Sequence, residues 1–191
     1  MDWERELDAA EGCEWDDGNA PKIRARHNVS LAEAEQVLLG RPLLVVTDES
    51  HSGLEPRFFA LGRSAAGREL TVIFTMRLRR IRVVSARPMS RKEIDGMPKP
   101  KAGLRPIPKF ESEAEERRFW QTHDTTNYVD WSRARSISLA NLRPTTTTIS
   151  LRLPAPLLAD LKCLAHQRDV PYQSLLKVFL ADRVAAELRR R

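Results

Sequence analysis

Residues Thr147–Leu153 constrain this 191-residue chain more than any other stretch. Thr147, Ile149, Leu151 and Leu153 alternate with Thr148, Ser150 and Arg152, the period-2 pattern of a half-buried strand. Pro154 and Pro156 stop that strand and suit the first turn of a helix. Leu157, Leu158, Leu161, Leu164 and Ala165 then recur at helical spacing. After the break Arg168-Asp169-Val170, Pro171 opens a second amphipathic helix carrying Leu175, Leu176, Phe179 and Val184. One strand and two short helices leave the strand's backbone groups unpaired. Antiparallel pairing with the same strand of a second copy, through residues 147–153, gives a homodimer with one shared core.

A two-stranded ribbon fits the major groove of B-DNA, and Thr148, Ser150 and Arg152 are side chains that reach base edges there. The backbone N–H groups at Tyr172, Gln173 and Ser174 open the second helix and suit a phosphate. The order of strand, helix, helix resembles the ribbon-helix-helix family of DNA-binding repressors, of the CopG type. The resemblance implies operator DNA as partner. A helical hairpin with an edge strand and no nucleic-acid role is the plainer reading of the same residues.

Charge is uneven. The chain holds 32 Lys and Arg against 26 Asp and Glu. Residues 1–19 carry eight acids against Arg5, residues 20–92 fourteen bases against six acids, and residues 143–191 nine against four. Two separated basic blocks point to two polyanion contacts. Cys13 and Cys163 stand far apart, and His27, His51, His123 and His166 lack ligand spacing. No metal and no cofactor are therefore expected, and unpaired cysteines suit a reducing cytosol. No run approaches eighteen apolar residues, so the expectation is a cytoplasmic, nucleoid-associated protein without a membrane partner.

Residues 1–13 read as an irregular acidic leader. Asp17-Gly18-Asn19 is a turn signal, and Pro21 opens a helix through His27. Ser30 and Glu33 form a capping box before a helix that Gly40 ends. Strand-like runs follow at Leu43–Thr47, Arg57–Leu61, Leu70–Met76 and Arg80–Ala86, the last two as a hairpin around Arg77–Arg79. Ile81 and Val83 are expected to face one way, Arg82 and Val84 the other. Ser90 and Glu93 form a second capping box. Residues 14–95 are thus an α+β domain of two helices, an antiparallel sheet and a terminal helix.

That domain resembles the BrnT family of bacterial toxins. The resemblance rests on Trp15-Asp16 with Lys22, His27 with Val29-Ser30 and Ala34, Asp48 with His51, the run Arg57 to Ser64, and Ile81 to Arg87. Asn28 departs from it, standing where glycine is frequent, and the leader has no counterpart. The resemblance implies a RelE-like fold and a ribonuclease that halts translation, with RNA as substrate. Cleavage by the ribose 2′-hydroxyl needs a base and cations at the phosphorus. Imidazole titrates near neutrality, which suits His27. Arg63 and Arg87 can clamp phosphate, and Lys22 supplies a point charge. Trp15 is a candidate base stacker and Arg57 a candidate RNA contact, although a core Trp15 and a structural His27 remain the plainer alternatives.

Four prolines and two glycines between Asp95 and Pro108 make residues 96–108 a linker. In residues 109–142, Ser112 and Glu115 read as a third capping box, with Glu113, Glu115 and Glu116 suiting a helix N-terminus. Phe110, Phe119, Trp120, Tyr128 and Trp131 are too many aromatics for so short a segment, which marks a docking arm for the basic face of residues 20–92. Packing on its own helices is the alternative. Together with Asp169-Val170-Pro171, the arm resembles the CopG-type antitoxins that accompany BrnT toxins. The whole reads as a toxin–antitoxin pair in one chain, with residues 143–191 as an autorepressing DNA-binding domain. The rival is a repressor whose N-terminal domain is catalytically silent and serves assembly.

Overall fold

The computed structural model describes residues 3–16, 19, 27–48, 55–95 and 103–189. The expected Pro21–His27 helix therefore lies outside them except for its last residue, as do Lys22, His51 and the linker residues 96–102. The chain divides into two compact units, Met1–Thr146 and Thr147–Arg191.

The first unit is α+β, built on a six-stranded sheet ordered β1-β5-β4-β3-β2-β6. Its strands are β1 (Gly12–Glu14), β2 (Leu43–Asp48), β3 (Arg57–Arg63), β4 (Glu69–Arg77), β5 (Arg80–Pro88) and β6 (Arg135–Ile137). The central strands β2 to β5 pair antiparallel, as expected of the four strand-like runs. Leu78 turns the β4–β5 hairpin at φ 55°. The alternation expected along β5 breaks where Phe74 pairs with Val83 but Ile73 pairs with Ser85, leaving Val84 as the extra residue of a bulge.

The leader is not irregular. It forms α1 (Trp3–Asp8), whose Leu7 is buried, and then β1, which runs parallel to β5. Arg143 donates its backbone N–H to the Glu11 carbonyl at 3.0 Å, and the Asn141 side chain donates to the Asp8 carbonyl at 2.8 Å. Leader and arm hold each other.

Helix α2 (Leu31–Leu39) starts in the expected capping box: Ser30 Oγ accepts from the Glu33 N–H, and the Glu33 carboxylate accepts from the Ser30 N–H. It packs Ala34, Val37 and Leu38 on one sheet face with Leu43, Phe58, Val72, Phe74 and Val83. Gly62 allows this approach, since a Cβ there would lie 3.0 Å from Val37 Cγ1. Short α3 (Arg91–Ile94) follows its own complete box at Ser90 and Glu93.

The opposite face is covered by the arm. Helix α4 (Glu113–Trp120) and two 3₁₀ turns place Trp120, Val129 and Trp131 on Val46, Phe59, Leu61 and Ile73. The third capping box is only half made: Ser112 caps the Glu115 N–H, but the Glu115 carboxylate turns to the Glu111 N–H at 3.0 Å. From there the chain pairs β6 with the edge of β2 and returns to the first face, where Leu139 and Leu142 are buried. The arm thus wraps one sheet edge, contributing to both cores.

The second unit holds α5 (Ala155–Gln167) and α6 (Tyr172–Arg189), joined through Asp169 at φ 51°. Leu161, Ala165 and Leu175 are buried between them. The strand expected over 147–153 does not form in the single chain, and Ile149 and Leu151 stay 74% and 55% exposed. Strand geometry needs a partner for its N–H and C=O groups, and a lone chain supplies none here.

Candidate functional site

Two of the expected catalytic side chains, His27 and Arg87, converge on the C-terminal end of α4. His27 Nε2 lies 3.1 Å from the Gln121 carbonyl oxygen. Arg87 on β5 is 6% exposed, and its Nε donates to the Trp120 carbonyl at 3.1 Å while Nη2 donates to that of His123 at 3.3 Å. Its remaining donors grip both Glu93 oxygens at 2.8 Å and the Pro88 carbonyl at 2.9 Å. The carbonyl-rich end of a helix is its negative pole, so cations and proton donors gather there for the reason they would gather at a phosphate.

Each partner is held by a second group. Arg68 Nη1 donates to the Asn28 carbonyl and to Glu33, and Nη2 to the His27 carbonyl, fixing the histidine's backbone. Asn28 has φ 50°, a conformation asparagine and glycine tolerate best, which accounts for the departure seen at this position. Glu93 accepts from Thr71 Oγ1 at 3.0 Å, from the Ser90 N–H at 2.7 Å, and from Thr125 Oγ1 of the arm. Burial alone would raise its pKa, but Arg87, Thr125 and the Ser90 amide outweigh burial and hold the carboxyl below the ordinary glutamate range. Arg68 and Glu93 were missed as site residues. Glu93 carried a capping signal only, and Arg68 none.

The other candidates are dispersed. Arg63 ends β3 in an ion pair with Glu69 at 2.6 Å, 67% exposed, on an open pocket of about 400 Å³ that Arg41, Met89 and Glu93 also line. Arg57 is clamped by Glu116 of the arm, Nε to Oε1 at 2.8 Å and Nη2 to Oε2 at 2.8 Å. Trp15 packs half-buried on the first core and donates Nε1–H to Glu35 at 2.6 Å. Of the arm aromatics, Phe110 meets Phe119 at 5.2 Å, Phe119 meets Tyr128 at 5.2 Å, and Trp120 and Trp131 are 1% exposed. The Cys13 thiol is buried and pushed up to about 12 by that burial with Glu35 nearby, which leaves it unreactive. Among the described residues no cluster of three or more His, Cys, Asp or Glu is placed to hold a metal ion, and no helix is long and apolar enough to cross a membrane.

In the second unit Thr148, Ser150, Arg152, Gln173 and Ser174 are exposed and Tyr172 is half-buried. Leu157, Leu164, Val178, Leu180 and Val184 are exposed as well.

Residues 15–93 match the family model described as ribonuclease toxin, BrnT, of a type II toxin–antitoxin system. Residues 105–183 match that of the CopG antitoxin of a type II toxin–antitoxin system. A BrnT toxin domain and a CopG antitoxin domain are present in one chain. No curated protein matches it. The antitoxin match begins at residue 105, yet the compact unit runs on to Thr146. The first forty or so residues of the CopG match therefore fold with the BrnT domain.

Proposed function

We propose that the chain is a self-masked toxin–antitoxin pair: a ribonuclease over residues 14–95, silenced in cis by residues 109–142, joined to a ribbon-helix-helix domain over 143–191 that dimerises, binds operator DNA and represses its own gene. The observation that carries it is the meeting of His27 and Arg87 with the carbonyl end of α4. With the arm removed, the imidazole can take the proton of a ribose 2′-hydroxyl as that oxygen attacks phosphorus, and the guanidinium can hold the charge that develops there. The P–O5′ bond breaks as the imidazolium returns the proton to the departing 5′-oxygen, leaving a 2′,3′-cyclic phosphate. A positioned base contributes about 10²–10⁴-fold, and preorganised cations a comparable factor. Lys22 and Arg63 remain further candidates for phosphate contact.

Growth is the first test. Residues 1–95, which keep α1 and β1, are expected to arrest cells and cleave RNA, and His27→Ala is expected to abolish both effects. Soluble, folded residues 1–95 in healthy cells would favour the rival, a repressor with a catalytically silent assembly domain. One observation speaks for that rival: the arm supplies an edge strand and two buried tryptophans, and so does not leave by simple dissociation.

For the DNA-binding half, the exposure of Ile149 and Leu151 supports pairing with a second copy, since a two-sided polar strand would not place aliphatics there. Replacing both by Asp is expected to convert a dimer to a monomer by sedimentation and to weaken operator binding on the order of 100-fold, because fully buried aliphatics contribute about 1.5–3 kcal/mol each. Arg152→Ala should instead relax base preference while leaving the dimer intact. A dimer that survives the double substitution would remove the ribbon.

A further inference from the structure

Beneath α4 the sheet carries polar groups that the arm fits incompletely. Phe74 and Met76 belong to the first core, so Thr75 between them points to the arm side. Thr75 pairs across the ladder with Arg82, and Ser85 pairs with Ile73 of the arm-side core. Thr75 Oγ1 and Ser85 Oγ are buried, 0% and 1% exposed, and neither has a hydrogen-bond partner among the described residues. Two orphan hydroxyls on one face are costly, since an unmade buried hydrogen bond costs about 1–3 kcal/mol. They stand among three arginines whose partners include the arm: Arg57 holds Glu116, Arg87 holds the α4 carbonyls, and Arg82 holds Glu113 at 2.7 Å. Arg82 also keeps Glu14 at 2.8 Å and Asp16 at 2.6 Å.

We infer that Arg57, Thr75, Arg82 and Ser85 form a phosphate track that leads to Arg87, built for the backbone of a single RNA strand, and that Glu113 and Glu116 of the arm stand where two of its phosphates bind. This rests on the ribonuclease reading and assigns the path by which substrate approaches. A carboxylate satisfies a guanidinium as a phosphate oxygen does, through paired N–H donors. It brings two oxygens where a phosphate brings more, and the hydroxyls are left without acceptors. Glu113 and Glu116 sit three apart on α4 and so project from neighbouring points of one helix face. Their spacing lets one helix hold both positions at once.

The test is chemical rescue in the full chain. Glu113→Ala with Glu116→Ala should lower the unfolding midpoint of the first unit. Inorganic phosphate should raise it again by several degrees more than in the unsubstituted chain, as a ligand selective for the folded state does. Acetate at matched ionic strength should not. Adding Thr75→Val and Ser85→Ala should cut the phosphate shift at least by half, and adding Arg82→Gln should abolish it. Equal shifts with and without the arm carboxylates, rescue by acetate to the same extent, or indifference to the hydroxyls would overturn the track. Should the alanine pair not fold, Glu116→Ala alone keeps Glu113 on Arg82 and vacates one position. Phosphate should raise its midpoint by several degrees more than that of the unsubstituted chain, and an equal shift would overturn the track there too. Neither readout needs cleavage, so growth arrest without rescue removes the track alone, and rescue without growth arrest removes the ribonuclease alone.

Discussion

Trp120→Ala lowers the stability of the first unit by about 3–5 kcal/mol, the usual cost of emptying a buried aromatic site. Trp120 is 1% exposed and meets Phe59 edge-on at 5.0 Å, with Phe119 at 4.9 Å and Tyr128 at 5.7 Å. Its indole Nε1 is buried without a partner among the described residues, which offsets part of the loss and sets the expected value toward the lower end of that range. Trp120→Phe, which discards the orphan donor with less volume lost, should cost clearly less. Urea unfolding of the full chain, followed by a probe in the first unit, reads both variants. A loss under about 1 kcal/mol for Trp120→Ala would mean that the arm rests on the sheet without being part of its core.

Glu93→Gln is the second large effect. It strips the charge of the carboxylate that Arg87 grips directly, leaving a guanidinium only 6% exposed on carbonyl and hydroxyl partners, with Asp124 as a more distant charge. Removing one member of a buried ion pair costs about 3–5 kcal/mol. The same group predicts a pH dependence. Its carboxyl is held below the ordinary glutamate range, so the charged form belongs to the folded state. That contribution is complete above the unfolded-chain value of about 4.3 and is lost as pH falls through the lowered folded-state value. Stability of the unsubstituted chain should therefore drop with acid below about pH 4.3, and the Glu93→Gln chain, already weakened, should drop less steeply. Glu33 and Asp124 are depressed in the same direction, so a residual acid limb is expected. Parallel acid limbs in the two chains would show that Glu93 is not the ionised partner of Arg87.

Much of the central sheet was legible because Leu43–Thr47 is an apolar run and Leu70–Met76 and Arg80–Ala86 read as a hairpin, and because Ser30 and Ser90 each precede a glutamate at the capping distance. The two outer strands were not. Gly12–Glu14 and Arg135–Ile137 span three residues each, too few to show a period, and both exist because a longer neighbour offers an unpaired edge. The bulge at Val84 was hidden for a related reason, since one extra residue leaves the composition of the run unchanged. Alternation alone was no guide to the tail, where the pattern from Thr147 to Leu153 is a strand pattern whose ladder one chain does not supply.

At the site, the sequence named His27 and Arg87 but not what they touch. Their partners are main-chain carbonyls of Trp120, Gln121 and His123, which carry no side-chain signature. Glu113 and Glu116 read as ordinary first-turn acids, and such acids do suit a helix N-terminus. Only the register of α4 over β3 and β5 brings them onto Arg57 and Arg82. Arg63, in the Arg57 to Ser64 run, ends β3 in an exposed pair with Glu69, on the pocket that Glu93 also lines.

The most direct test of masking in cis is the RNA-cleavage rate of purified residues 1–95 as residues 103–146 are titrated back. The rate should be measurable without the arm and fall to background at one equivalent, and the covalent full chain should start at that background. A full chain that cleaves RNA as fast as residues 1–95 would contradict it.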